Sequence, residues 1–231
     1  MLHLDGAKDP FGAPVVVFCG GAGLGHTSAM AKTEIVPDQD RFNYTIRYQD
    51  QLLGDLPDAA KTAIDAGCGE GLASRILAAA GLTVTGVDAD KDILEVAKAQ
   101  DTTGITYVHG DVLTTDLEPA DVVYSAAMLH HVDLIEGLTR LKDLVAPGGR
   151  LLVVGMARNT WRDIPLEVAA SIADKAWAFM KGRRWDSGAP TVWPPAHSYV
   201  DVRKAVAELL PGAQFKQRLL YRYTIQWDKS Y

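Results

Sequence analysis

Over nine residues, Ile64–Leu72, the chain reads Ile-Asp-Ala-Gly-Cys-Gly-Glu-Gly-Leu, an acid at 65 followed by glycines at 67, 69 and 71. Glycines remove Cβ atoms where backbone must turn sharply, and they let a ligand lie against the peptide plane. Their spacing selects the ligand. A dinucleotide fingerprint places glycines at positions one, three and six so that a pyrophosphate sits on a helix N-terminus, whereas here they fall at one, three and five. Asp65 and Glu70 would repel a pyrophosphate and tolerate a cationic ammonium or sulfonium group. The implied ligand is an adenosine without phosphates. Asp88, 23 residues beyond Asp65, can accept both ribose hydroxyls in a bidentate hydrogen bond. NAD-binding chains share that device, so Asp88 points to a ribose only.

These residues need elements to hold them. Ala63 and Ile64 running into Asp65, the glycines, then helix-spaced Leu72, Ile76 and Leu77 read as strand, tight loop, helix. A second strand, Leu82–Asp88, precedes a helix over Lys91–Ala99 with Asp90 as its cap. A third strand begins at Ile105 and stops at Gly110-Asp111, and a fourth runs from Ala120 into Ser125-Ala-Ala-Met-Leu-His-His. Leu134, Leu138, Leu141 and Val145 share a helix face after Asp133, Pro147-Gly148-Gly149 ends that helix, and Arg150–Gly155 is the fifth strand. An N-terminal helix over Asp40–Leu53, an inserted helix over Asp163–Met180, a Ser198-capped helix stopped at Pro211-Gly212, and alternating strands over Gln214–Leu220 and Arg222–Trp227 complete the pattern.

With Asp65-x-Gly-x-Gly-x-Gly as first motif, the chain resembles the class I S-adenosylmethionine-dependent methyltransferases. Asp88, Gly110-Asp111, Leu129-His130-His131 and the Pro-Gly-Gly turn extend the resemblance over Lys61–Gly155. It implies a doubly wound α/β fold: one seven-stranded, mostly parallel sheet with one antiparallel strand and helices on both faces. It implies S-adenosyl-L-methionine as cofactor, with Asp65, Gly67, Gly69 and Gly71 at the methionyl end, Asp88 at the ribose, and Asp111 and Val112 at the adenine. Cys68, Ala89 and Ser125 complete the expected cofactor contacts. Methylases of exocyclic base amines carry Asn/Asp-Pro-Pro-Tyr/Phe after the fourth strand; Ser125-Ala-Ala-Met lacks it.

Three histidines belong to the same edge. His131 and His197 are the candidate bases, since an imidazole with an ordinary pKa near 6.5 suits a nucleophilic hydroxyl; His130 lines the acceptor side or shapes the loop. No third ligand lies at metal spacing, so no metal is expected. Tyr44 and Tyr48, four residues apart, either cover the ligands or anchor their helix to the sheet. Trp185 and Trp193, with Trp177, fit an aromatic acceptor pocket, and Lys181, Arg183 and Arg184 fit an anionic group or a solvated patch.

The 231 residues suit one catalytic domain over 36–231, preceded by an extension over 1–35 that is dispensable. That extension holds Gly20-Gly-Ala-Gly-Leu-Gly25-His26-Thr27, a phosphate loop with His26 where lysine is required, and Met30 looks like a second start. A net charge of −6 argues against nucleic acid and anionic membranes as partners. Two cysteines and no spanning apolar run favour a cytoplasmic protein, monomer or homodimer. The reading is methyl transfer to a small molecule by in-line displacement; the alternatives are a non-catalytic cofactor-binding module and, third, an NAD-dependent oxidoreductase.

Overall fold

The computed structural model describes Asp38, residues 43–159 and residues 194–231. The phosphate-loop lookalike, Met30, the helix expected over 163–180, Trp177, Trp185, Trp193 and the basic cluster at 181–184 lie outside these residues.

Seven strands form one sheet in the order β3-β2-β1-β4-β5-β7-β6. In chain order the elements are α1 (Tyr44–Leu53), β1 (Thr62–Ala66), α2 (Leu72–Ala79), β2 (Thr83–Asp88), α3 (Lys91–Lys98), β3 (Ile105–His109), β4 (Ala120–Ala126), α4 (Leu134–Asp143) and β5 (Val145–Met156), followed by α5 (Tyr199–Leu209), β6 (Gln214–Gln217) and β7 (Arg222–Asp228). β1 pairs in parallel with β2 and β4, as β2 does with β3 and β4 with β5. β7 alone runs antiparallel, to β5 on one side and β6 on the other. It is therefore interior, and β6 forms the edge.

Strand alternation divides the core in two. Ile64, Val123, Leu151 and Val153 face one layer with Leu138 and Leu141 of α4 and Val202 and Val206 of α5. Ala63, Val122, Leu152 and Val154 face the other with Tyr48 and Leu52 of α1 and Ala73 and Leu77 of α2. Helices thus cover both faces, as the resemblance implied.

The helix starts are set by side-chain caps. Asn43 accepts from Ile46 N at 2.9 Å, so α1 starts four residues later than Asp40. Asp90 caps α3 through Asp92 N and Ile93 N, and Asp133 caps α4 through Ile135 N and Glu136 N. Ser198 and Asp201 cap each other's backbone in a capping box at α5.

Pro147-Gly148-Gly149 does not form the helix stop. α4 has already ended, and the three residues lie inside β5, where the pairing jumps from Ala120↔Val145 to Val122↔Arg150. This is a bulge. A Cβ on Gly149 would stand 2.7 Å from the Asp121 carbonyl, which makes glycine the residue for that close approach.

Candidate active site

Parallel strands place their carboxyl ends along one edge, and there the loops after β1, β2, β3 and β4 meet. The glycine loop leaves β1 and leans across β2: Gly67 N and Cys68 N both donate to the Val87 carbonyl, at 2.9 and 3.0 Å. Gly71 enters α2 with φ +83°, and a Cβ there would run into the Tyr107 hydroxyl. Gly69 differs. Its φ of +53° again favours glycine, yet a Cβ would meet nothing within 4 Å. Gly69 is the open stretch of backbone against which a ligand can lie.

Carboxylates surround it. Asp65 is 1% exposed and accepts the Ser74 hydroxyl at 2.7 Å. Burial raises its pKa to about 7; the Ser74 bond opposes that shift and the neighbouring Asp88 charge adds to it. Asp88 accepts from Gly69 N at 2.8 Å with one oxygen and from Asp90 N at 2.9 Å with the other, each keeping acceptor capacity. Ala89 is exposed, and its carbonyl meets His109 Nε2 at 3.2 Å. Asp111 is exposed; its Oδ1 takes Leu113 N at 2.9 Å. Val112 is buried, and Arg140 Nε of α4 clamps its carbonyl at 3.0 Å.

Glu70 does not confront the ligand as its sequence position suggested. Arg75 lies 3.6 Å from its carboxylate, Gln100 donates to it at 3.0 Å, and Arg75 also holds Asp38. Asp65 and Asp88 therefore carry the negative field of the loop. The Cys68 thiol is buried beside them, and burial pushes its pKa far up. Such a thiol is chemically quiet.

On the other side of Asp65, Ser125 is fully buried and donates to the Ala66 carbonyl at 2.9 Å, bracing β4 against β1. Ala127 follows with φ +52°, a strained conformation for a non-glycine residue and one found where backbone is held for a function. Next come the two histidines, their rings 4.0 Å apart. His130 is 7% exposed, and neither ring nitrogen has a hydrogen-bond partner. Burial, then His131 and Arg222, lower its pKa to about 3, so the ring is neutral. His131 is exposed at its rim; burial of part of the ring lowers its pKa against the pull of Asp88. His197 stands beside the end of β5, its carbonyl taking Arg158 N at 2.8 Å, and it directly precedes Ser198, the cap of α5. The structure thus joins His130 and His131 and sets His197 beside the capping box.

α1 roofs this edge. Tyr48 is buried in the core, its hydroxyl accepts from Leu219 N at 3.3 Å, and Arg218 lies over its ring at 5.3 Å. Tyr48 anchors the helix. Tyr44 is half-buried and packs against the same layer. Arg218 and Arg222, which no motif singled out, reach the site because the β6–β7 hairpin returns the chain to the carboxyl edge. Arg222 donates to Thr45 of α1 at 3.1 Å and to the Leu220 carbonyl at 2.9 Å. Leu220 and Tyr221 both have positive φ, 58° and 63°, in the turn between the arginines. Gln49 was equally invisible in the sequence: it accepts the Tyr124 hydroxyl at 3.1 Å while its amide nitrogen stays buried and unpartnered. Among the described residues no group of three potential metal ligands occurs.

The donor set suits a ligand with a cationic amino-acid end and a phosphate-free ribose: open backbone at Gly69, a buried acid at 65 and a two-handed carboxylate at 88. Residues 64–153 match the family described as a methyltransferase domain. An uncharacterized methyltransferase of Mycobacterium tuberculosis (strain ATCC 25618 / H37Rv) is 35% identical over 194 residues, 80% of this chain and 96% of the relative. A ubiquinone biosynthesis O-methyltransferase of Vibrio parahaemolyticus is 36% identical over 126 residues, 52% of this chain and 51% of its own. Among solved structures, magnesium protoporphyrin IX methyltransferase from Synechocystis with bound SAH shares the fold, with a TM-score of 0.52 at 20% identity over 80% of this chain and 82% of that one. The chain belongs to the class I S-adenosylmethionine-dependent methyltransferases.

Proposed function

We propose that this methyltransferase acts on a small-molecule acceptor by in-line displacement. The observation that carries the reading is the burial of the unpartnered His130 ring at the carboxyl edge. Tyr48 and Thr45 of α1 are hydrogen-bonded to the β6–β7 hairpin, and between these elements and the β4 loop His130 is left 7% exposed. An imidazole buried among these elements with no hydrogen-bond partner suits a compact ligand better than a polymer, and the net charge of −6 disfavours nucleic acid.

S-adenosylmethionine supplies an electrophilic methyl group on a cationic sulfur. Asp65 and the backbone of Gly67–Gly71 would hold the methionyl end, with Cys68 filling the loop interior. Asp88 and Ala89 would take the ribose, and Asp111 and Val112 the adenine. Ser125 fixes the spacing of β1 and β4. His130, with Tyr44 at the rim, lines the acceptor side. Where the acceptor's nucleophile carries a proton, His131 and His197 are the groups to receive it. Positioning supplies most of the rate in such a displacement.

The test uses the full chain with methyl-labelled S-adenosylmethionine and a cell extract split into low-mass and macromolecular fractions. Label in a low-mass product is expected. Label confined to protein or nucleic acid overturns the small-molecule reading.

A further inference from the structure

Three glycines make the Gly67–Gly71 loop easy to bend, and glycine loses more freedom on ordering than any other residue, so a ligand-ready loop has to be held by its surroundings. On one side Gly67 N and Cys68 N donate to Val87, and Gly69 N donates to Asp88. Gly71 N then closes a turn onto the Cys68 carbonyl at 2.9 Å, with Gly69 and Glu70 at its corners. The Glu70 corner is gripped by residues far apart in the chain. Asp38, ahead of α1, takes Arg75 Nε at 2.8 Å and Nη2 at 2.9 Å, a bidentate pair that fixes the plane of the guanidinium. So fixed, Arg75 of α2 aims Nη1 at the Glu70 carbonyl, 2.8 Å away. Gln100, after α3, donates Nε2 to the same carbonyl at 3.2 Å and to the Glu70 carboxylate at 3.0 Å. A carbonyl oxygen has two lone pairs, and both are engaged here. The side chains of Arg75 and Glu70 are only 10% and 9% exposed, so this clamp is built into the protein rather than laid on its surface. None of its members takes part in the proposed methyl transfer.

Resting on the reading that Gly67–Gly71 holds the methionyl end of the cofactor, we propose that Arg75 and Gln100, with Asp38 behind Arg75, are positioning residues that set cofactor affinity by holding this loop in its ligand-ready shape. They act through the Glu70–Gly71 peptide. Apparent affinity scales with the fraction of molecules in the binding-competent state. With the clamp in place that fraction is high; without Arg75 or Gln100 the turn at Gly69 and Glu70 is free to rotate, and the Glu70 carboxylate loses a partner. The effect is selective for one end of the ligand. Asp88, Asp111 and Val112 stand at the ends of β2 and β3 or after them and keep supports of their own, from Asp90 N, Leu113 N and Arg140. Loss of the clamp therefore falls on ligands that carry the amino-acid end and spares those that present ribose and adenine alone.

Calorimetry on the full chain with two ligands tests this. S-adenosylhomocysteine carries the amino-acid end, whereas methylthioadenosine keeps adenine, ribose and sulfur and lacks it. Arg75→Gln should raise the Kd of S-adenosylhomocysteine by roughly tenfold, as when about one molecule in ten keeps the ready loop, and that of methylthioadenosine by less than about twofold. Arg75→Lys should recover only part of the loss, because a single ammonium cannot reproduce the fork that joins Asp38 to the Glu70 carbonyl. Should Arg75→Gln fail to fold, Gln100→Leu and Asp38→Ala, which leave the guanidinium in place, decide the matter with a rise of roughly threefold each for S-adenosylhomocysteine. An unchanged Kd for S-adenosylhomocysteine in these variants overturns the inference. An equal loss for both ligands also overturns it, since general damage to the fold would weaken the two alike. Asp88→Ala, measured alongside, separates this inference from the reading beneath it. If Asp88→Ala weakens both ligands while the clamp variants weaken neither, only the inference falls; if Asp88→Ala leaves both Kd values unchanged, the cofactor site at this edge is overturned and the inference with it.

Discussion

Replacing Asp65 by Asn should make the ligand-free protein more stable at alkaline pH while weakening its hold on cofactor. Asp65 is 1% exposed, and burial raises its pKa from 3.8 to about 7. Between those values the native state binds more protons than the unfolded chain, so this group makes stability fall as pH rises, with the full cost reached above the native value. A gap of about three units corresponds to roughly 4 kcal/mol. Asn cannot ionise, and its carbonyl can still accept the Ser74 hydroxyl. Its amide nitrogen adds a buried donor that costs about 1–3 kcal/mol. The variant should thus be about 1–3 kcal/mol more stable than the parent at pH 8 and no more stable at pH 4. Urea unfolding of both proteins at intervals across that range isolates Asp65, because other titrating groups cancel in the difference. A constant difference over the whole range would refute the buried-acid account. The same carboxylate should favour a cationic ligand once ionised, so parent affinity for S-adenosylmethionine should rise through pH 7, and that rise should vanish in Asp65→Asn.

Asp88→Ala should weaken S-adenosylhomocysteine binding by roughly 30- to 1000-fold, about 2–4 kcal/mol, since it removes an ionised acceptor and frees Gly69 N and Asp90 N; an unchanged calorimetric Kd would exclude its ribose role. Gly71→Ala should cost about 2–4 kcal/mol of stability through its clash with Tyr107 and its positive φ, whereas Gly69→Ala should cost only about 1–2 kcal/mol and lose cofactor affinity instead. Equal melting temperatures for the two would contradict the geometry of the loop. If either histidine receives the acceptor's proton, His131→Gln or His197→Gln should lower kcat by about 100-fold with cofactor affinity intact; near-normal turnover in both would exclude them as bases. A chain beginning at Met30 should keep its melting temperature and cofactor affinity, and loss of either would make residues 1–29 part of the fold.

Local chemistry fixed much of this protein before any tertiary contact was known. The glycine spacing from Gly67 to Gly71, Asp88 at a strand end and the caps at Asp90, Asp133 and Ser198 act over a few residues, where sequence distance and spatial distance are nearly the same. The resemblance carried by these short motifs implied a sheet covered on both faces, which the two core layers bear out. What needed the structure depends on contacts between residues far apart in the chain. Pro147-Gly148-Gly149 carries a turn signal that a helix end and a β-bulge share, and only pairing with Asp121 and Val122 decided for the bulge. Glu70 was legible as a negative charge, but its neutralisation by Arg75 and Gln100 depends on side chains on α2 and after α3 that fold back over the loop. Tyr48 had two readings of equal standing until Leu219, 171 residues away, supplied the partner of its hydroxyl. Arg222 had no motif at all. It stands at the edge where the early strands end because β7 inserts antiparallel between β5 and β6, which turns the start of a late strand toward that edge.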